Sequence, residues 1–200
     1  MLEGVDLACE RGGRRLFSAL RISLKGGELV RIAGENGSGK TSLLRILCGL
    51  LTPSAGEVRW RGECIQALKE EYSREMVYLG HAAAVKDDLT AEENLGFALR
   101  LSGGVYEESQ IHDALVRIGV PGARPVRRMS QGQRRRAALA RLFLSKAKPL
   151  WLLDEPFAAL DAAAVQRVES LVREHAAGGG SVVFTTHQDA GLAPTSVIEL

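Results

Sequence analysis

The sequence lacks any long apolar run. None approaches the roughly 18 consecutive apolar residues that a membrane span needs, so work at a membrane requires a partner that supplies the spans. The N-terminus, Met1 to Asp6, has neither a basic stretch nor an apolar core, and no secretory leader is expected. Cysteine is scarce. Cys9, Cys48 and Cys64 are odd in number, scattered, and form no C-x-x-C pair. That excludes a disulfide framework or a zinc ribbon and fits buried free thiols in a reducing compartment. Charge of one sign is also lacking: the formal net charge of +2 gives no bulk attraction for nucleic acid. Internal repeats and low-complexity stretches are absent.

What remains suits one globular domain: 200 residues, 46% apolar and 25% charged. Residues 1–33 read as strands and turns, with a turn over Glu10 to Arg14 and apolar runs at Ile22–Leu24 and Leu29–Ala33. The last run enters a glycine-rich loop. A helix follows, with Leu43, Leu44, Ile46 and Leu47 as its apolar stripe and Gly49 at its end. Glu57–Arg61 and Met76–Leu79 are strand candidates. Thr90-x-x-Glu93 has capping-box spacing and predicts a helix through Arg100. Ile111–Ile118 is helical with Gly119 as its stop. Ser130-x-x-Gln133 repeats the capping pattern and predicts a helix to about Lys146. Leu150–Leu153 and Val182–Thr186 read as strands buried on both faces of a parallel sheet, flanking a helix over Asp161–Ala177. The expected fold class is therefore α/β. The middle, from 81 to 130, carries helices and no strong strand, which predicts a small helical subdomain inserted in an α/β core.

Four clusters carry chemistry. Gly34-Glu35-Asn36-Gly37-Ser38-Gly39-Lys40-Thr41 matches G-x-x-x-x-G-K-[ST]. Glycines let successive backbone N–H groups turn inward around phosphate oxygens, and the next helix adds its positive end. Lys40 can reach the β- and γ-phosphates, and the Thr41 hydroxyl can ligate magnesium. The bland alternative is an ordinary glycine-rich turn between strand and helix. Second, Leu150–Leu153 ends in Asp154-Glu155. Asp154 can stand beside the magnesium, and Glu155 can polarise the attacking water as a general base. Alone, such a pair would be a surface feature of a strand end.

Third, Ser130-Gln131-Gly132-Gln133 caps a helix whose start is crowded with cations: Arg124, Arg127, Arg128, Arg134, Arg135 and Arg136. Cations at a helix N-terminus oppose its dipole. Two readings stand, an anion docking at that end or a solvated basic face. Fourth, His187 directly follows a strand whose C-terminal end faces the ligand crevice of a parallel sheet, where an imidazole can donate to a γ-phosphate. A lone histidine is more often structural.

In this order the four elements resemble the ATP-binding-cassette ATPases over essentially the whole chain. Gly34–Thr41 is similar to the Walker A loop, extended by Ser42, and Leu150–Glu155 to Walker B. Ser130–Gln133 is similar to the signature motif, Ala159-Leu160-Asp161 to the D-loop and His187 to the switch histidine. The resemblance implies a P-loop core of residues 1–80 and 147–200, with an N-terminal antiparallel β-subdomain and a helical subdomain at 81–146. It also implies ATP and magnesium as ligands and a head-to-tail homodimer, each ATP lying between one P-loop and the signature helix of the other subunit. The sequence departs from the family pattern at three places. Gln131 replaces a glycine, Arg11 falls where an aromatic stacks on adenine (Phe17 lies further along), and Gly80-His81 stands where a glutamine is usual. Arg11 can stack through its guanidinium plane.

Cys9-Glu10-Arg11, Arg15 to Ser18, Gly80-His81, Asp154 to Phe157 and Thr185 to Gln188 further resemble the ATP-binding subunit of the bacterial cytochrome c maturation system. That implies an ATPase peripheral to the cytoplasmic face of the inner membrane, coupled through His81 to integral subunits and to haem handling. The alternative is an exporter ATPase for another small molecule or a lipid. Cassette ATPases acting on DNA or ribosomes carry a long coiled-coil insertion or a second cassette, for which this chain has no room.

Overall fold

The computed structural model describes residues 1–120, 123–188 and 191–200. Its strands are β1 (Leu2–Arg11), β2 (Arg14–Leu24), β3 (Leu29–Ala33), β4 (Ala55–Trp60), β5 (Glu63–Cys64), β6 (Met76–Leu79), β7 (Leu150–Asp154), β8 (Ser181–Thr185) and β9 (Ser196–Glu199). Its α-helices are α1 (Lys40–Leu47), α2 (Ile65–Leu68), α3 (Glu70–Arg74), α4 (Ala91–Leu101), α5 (Glu108–Ile118), α6 (Gln131–Leu139) and α7 (Ala162–Ala177).

An antiparallel sheet has the order β2-β1-β4-β5, and a parallel sheet the order β6-β7-β8-β3-β9. The two sheets differ as their sequences do. Every residue of β7 and β8 is buried, as a parallel sheet covered on both faces demands. Along β7, Leu150 and Leu152 enter a core shared with Leu2, Leu7 and Leu43, whereas Trp151 and Leu153 enter a second core with Leu95, Leu115 and Val168. One strand thus joins the antiparallel sheet and α1 on one side to the helices on the other, through the period-two alternation of its side chains. In β1 buried and more exposed residues alternate, and the register against β2 and β4 shifts around Asp6, which has φ 47°.

Local signals set the helix ends. In α4, Thr90 Oγ1 accepts from the Glu93 N–H at 3.1 Å while Glu93 Oε2 accepts from the Thr90 N–H at 2.8 Å. Gly119 stops α5 in the left-handed region at φ 75°. The helix expected to reach Lys146 instead ends at Leu139 and tightens into a 3-10 turn over Ala140–Leu144. Side chains from elsewhere take up the freed carbonyls: the Tyr106 hydroxyl donates to Leu144 O at 2.7 Å and Trp151 Nε1 to Ser145 O at 3.3 Å. Strand β9 and the short helices α2 and α3 lie beyond the elements expected from sequence.

His175 near the end of α7 stacks on Trp151, with centroids 3.7 Å apart and planes within 2°. It is buried, and its Nε2 has no partner. Burial, helped by the nearby Lys146 charge, lowers its pKa from 6.5 to about 4. The folded chain therefore binds this proton less tightly than the unfolded chain. The stability His175 contributes is full above pH 6.5 and is lost as pH falls toward 4. His175→Phe keeps a stacking ring and removes the titration. Relative to that variant, the wild type should lose roughly 2 to 3 kcal/mol between neutral pH and about pH 4.5, read from urea midpoints. Parallel pH curves would mean that His175 is not buried in its neutral form.

Candidate nucleotide site

Strand β3 delivers the chain to the glycine loop, and α1 leaves it. Gly34, Gly37 and Gly39 have φ of 140°, 81° and 116°, which a side chain would strain. A Cβ on Gly34 would lie 2.6 Å from Leu200 O and 2.7 Å from Ser38 Oγ. Lys40 folds back over the loop. Its Nζ donates to the carbonyls of Gly34 and Glu35, both at 2.8 Å. The first turn of α1 holds no acidic residue, so its positive end is uncompensated.

Asn36, Gly37, Gly39, Lys40, Thr41 and Ser42 line one side of a cavity of about 440 Å³. Asp154, Glu155 and His187 line the facing side, and Leu16 and His81 also border it. The strand ends place the acidic pair. Asp154 is 1% exposed. Its Oδ1 accepts from the Thr185 hydroxyl at 2.9 Å, and the same hydroxyl accepts from the Glu155 N–H at 2.9 Å. Among the described residues Asp154 Oδ2 is buried without a hydrogen-bond partner, as is Glu155 Oε1. Glu155 sits at φ 50°, a left-handed conformation that an L residue holds only when its surroundings enforce it. Glu155 Oε2 accepts from the backbone N–H of His187 at 3.2 Å, and His187 Nε2 lies 3.6 Å from Glu155 Oε1.

Among the described residues no group of three or more His, Cys, Asp or Glu could hold a metal. An ion here would take most of its ligands from phosphate and water, as magnesium does. The unpartnered Asp154 Oδ2 and the Thr41 hydroxyl fit such an ion, since both are oxygen donors facing one cavity.

Ser130–Gln133 does not line this cavity. Ser130 Oγ accepts from the Gln133 N–H at 3.2 Å, and Gln133 Oε1 accepts from the Ser130 N–H at 2.9 Å, so both side chains serve as a capping box. Gly132 packs on the segment after β7: a Cβ there would lie 2.6 Å from Ala159 O. Gln131 and Arg134 line a separate recess with His81.

At the basic helix start, Arg134, Arg135 and Arg136 have acceptors within the chain, while Arg124, Arg127 and Arg128 are exposed. Arg134 Nη1 donates to Asp87 Oδ1 at 2.7 Å and Arg136 Nη1 to Asp161 Oδ2 at 3.0 Å. Arg135 is buried and donates to four backbone carbonyls. The two ion pairs offset part of the conflict with the helix dipole. Arg11 is exposed at the hairpin end, opposite Arg14, and does not line the cavity. Leu16 does, and its one sequence signal was an apolar residue beside Phe17 after two arginines. His81 borders both the nucleotide cavity and a neighbouring groove of about 420 Å³ lined by Tyr78, Leu95, Ala98 and Arg141. Among the described residues no helix is long and apolar enough to cross a membrane.

The sequence profile of the ABC transporter family matches residues 17–158. The cytochrome c biogenesis ATP-binding export protein CcmA of Aromatoleum aromaticum is 53% identical, the match covering 100% of this chain and 95% of the relative. The protein of the same name from Nitrosospira multiformis is 49% identical, covering 100% of this chain and 97% of the relative. Among solved structures, a dimeric bacterial ABC transporter cassette, MJ0796, has a TM-score of 0.86 at 24% identity, covering 100% of this chain and 94% of that one. A putative ABC transporter ATP-binding protein from Pyrococcus furiosus has a TM-score of 0.83 at 24% identity, covering 100% and 96%. These two likenesses concern the fold.

Proposed function

This chain belongs to the ABC transporter family, and from that premise we propose that it is the ATP-hydrolysing subunit of a cytochrome c biogenesis export complex. The observation that carries the reading is the single cavity gathering Lys40, Thr41, Asp154, Glu155 and His187. It stands beside full-length identity near one half to proteins named for that role.

ATP lies with its phosphates against the loop from Gly34 to Thr41, and Ser42 follows in the first turn of α1. Lys40 exchanges its two carbonyl acceptors for phosphate oxygens, a charge-assisted gain. Thr41 and Asp154 would hold magnesium, which would neutralise phosphate charge. Glu155 takes a proton from the attacking water, and His187 donates to the γ-phosphate. Ser130 and Gly132 of a second copy of the chain, with Gln131 and Gln133 behind them, close the site as a head-to-tail dimer. Arg11 has no part in the cavity of one subunit, and Leu16 is the side chain that borders it near Gly39.

The division into a core of about 1–80 and 147–200 and a helical subdomain of about 81–146 places His81 at the junction. Its position on both the cavity and the adjoining groove suits coupling to an integral membrane subunit. The chain then works at the cytoplasmic face of the bacterial inner membrane, where its cycle drives haem handling and release of a haem-loaded chaperone. Purification from native membranes tests this. Integral subunits of the cytochrome c maturation complex should co-purify, and those of another exporter would overturn the assignment. An ATPase rate that stays the same when the membrane subunits are added would overturn the coupling.

A further inference from the structure

We propose that Arg135 is a positioning residue for ATP hydrolysis, locking helix α6 to the His81 loop and to the turn that aims Glu155. The inference rests on the reading of Glu155 as the general base. Arg135 is 5% exposed. Its Nη1 donates to Gly80 O at 2.7 Å and His81 O at 3.2 Å, and its Nη2 donates to Asp154 O and Glu155 O, both at 2.7 Å. Among the described residues its Nε has no hydrogen-bond partner and no carboxylate stands within ion-pair distance of it.

Stability does not account for such a group. A buried cation hydrogen-bonded to carbonyls bears a large desolvation penalty, which the nearby Asp154 and Glu155 charges offset only in part, and a packed apolar side chain of similar size commonly costs less. Burial pushes its pKa below that of an ordinary arginine. The placement of the four acceptors explains it better. Strands β6 and β7 stay in register to Leu79 opposite Leu153. Just beyond, the chain turns away on both sides, and the guanidinium bridges the gap that strand pairing leaves. The Glu155 peptide is clamped from both ends, its N–H by Thr185 Oγ1 and its carbonyl by Arg135, in the left-handed conformation it could not hold unaided. Helix α6 begins at the Ser130 cap. A shift of that cap against the nucleotide therefore pulls on the carbonyls of His81 and Glu155 together.

The test compares Arg135→Met, Arg135→Lys and Arg135→Ala in the full chain, measuring kcat, KM, nucleotide affinity and melting temperature. Arg135→Met should stay folded and bind ATP within about threefold of wild type, while kcat falls roughly 10- to 100-fold, as a displaced catalytic group predicts. Arg135→Lys should be impaired too, because one ammonium cannot reach four acceptors in two directions. Added guanidinium at non-denaturing concentration should restore part of the kcat of Arg135→Ala. A purely structural role would not give that rescue. Wild-type kcat in a folded Arg135→Met or Arg135→Lys overturns the proposal. So does a kcat loss that tracks melting temperature and resists guanidinium. If Arg135→Met fails to fold, the lysine variant and the rescue decide. Glu155→Gln run in parallel separates the two claims: wild-type turnover there sinks the base assignment, whereas an inactive Glu155→Gln beside fully active Arg135 variants sinks only this one.

Discussion

Glu155→Gln is expected to bind ATP as the wild type does, to turn it over at least about 100-fold more slowly, and to accumulate as an ATP-bound dimer. The substitution keeps the shape of the side chain. An amide oxygen can still accept the His187 N–H that Glu155 Oε2 accepts now. The backbone clamp from Thr185 is untouched, because it uses the Glu155 N–H. Only the capacity to take a proton is lost. Glu155 is suited to proton abstraction because its side chain is 12% exposed, and among the described residues Oε1 is buried with no hydrogen-bond partner, the His187 Nε2 standing 3.6 Å away. A carboxylate oxygen held toward a cavity in that condition awaits a donor, and a water on the γ-phosphate is the donor the cavity would bring. Single-turnover hydrolysis and size-exclusion chromatography with ATP are the two measurements. A mutant that hydrolyses ATP at the wild-type rate, or that binds ATP and stays monomeric, would sink this account of the site.

What could be read from the sequence was local. The glycine loop, the Thr90 and Ser130 capping boxes and the Gly119 stop all act within a few residues of themselves. Each is found as expected. The doubly buried strands β7 and β8 were legible because full burial needs an unbroken apolar run, which is a composition signal. What escaped was tertiary. Strand β9 is half-exposed and polar at its start, and exists because Val30 to Ala33 offers it a parallel edge. The 3-10 turn that follows α6 is held at its end by Trp151 on the next strand and by Tyr106, 38 residues before the carbonyl it bonds. Arg134, Arg135 and Arg136 looked like one basic face because sequence shows charges and hides acceptors. Their partners lie at Asp87, at the carbonyls of Gly80, His81, Asp154 and Glu155, and at Asp161. The same limit hides Leu16: that it borders the cavity depends on how the β1–β2 hairpin folds over Gly39.

Lys40→Ala should weaken ATP binding by roughly 100-fold or more while leaving affinity for adenosine nearly unchanged. Lys40 is already engaged, donating to two carbonyls at 2.8 Å. ATP must replace those bonds, so the net gain is the difference between a neutral acceptor and an ionised phosphate oxygen. The ammonium is charged in both states, so each bond moves from the low to the high end of the roughly 1.5 to 3 kcal/mol that bonds to charged groups contribute. Two such exchanges, in a cavity whose facing side carries the carboxylates of Asp154 and Glu155, give the factor of about 100. The comparison ligand matters. Adenosine has no phosphate, so a Lys40 that acts through phosphate charge cannot affect it. Titration calorimetry with both ligands reads the difference directly. If adenosine weakens as much as ATP, the lysine is acting by holding Gly34 and Glu35 in place. The loop's shape would then be the source of the affinity, and the ammonium charge would not.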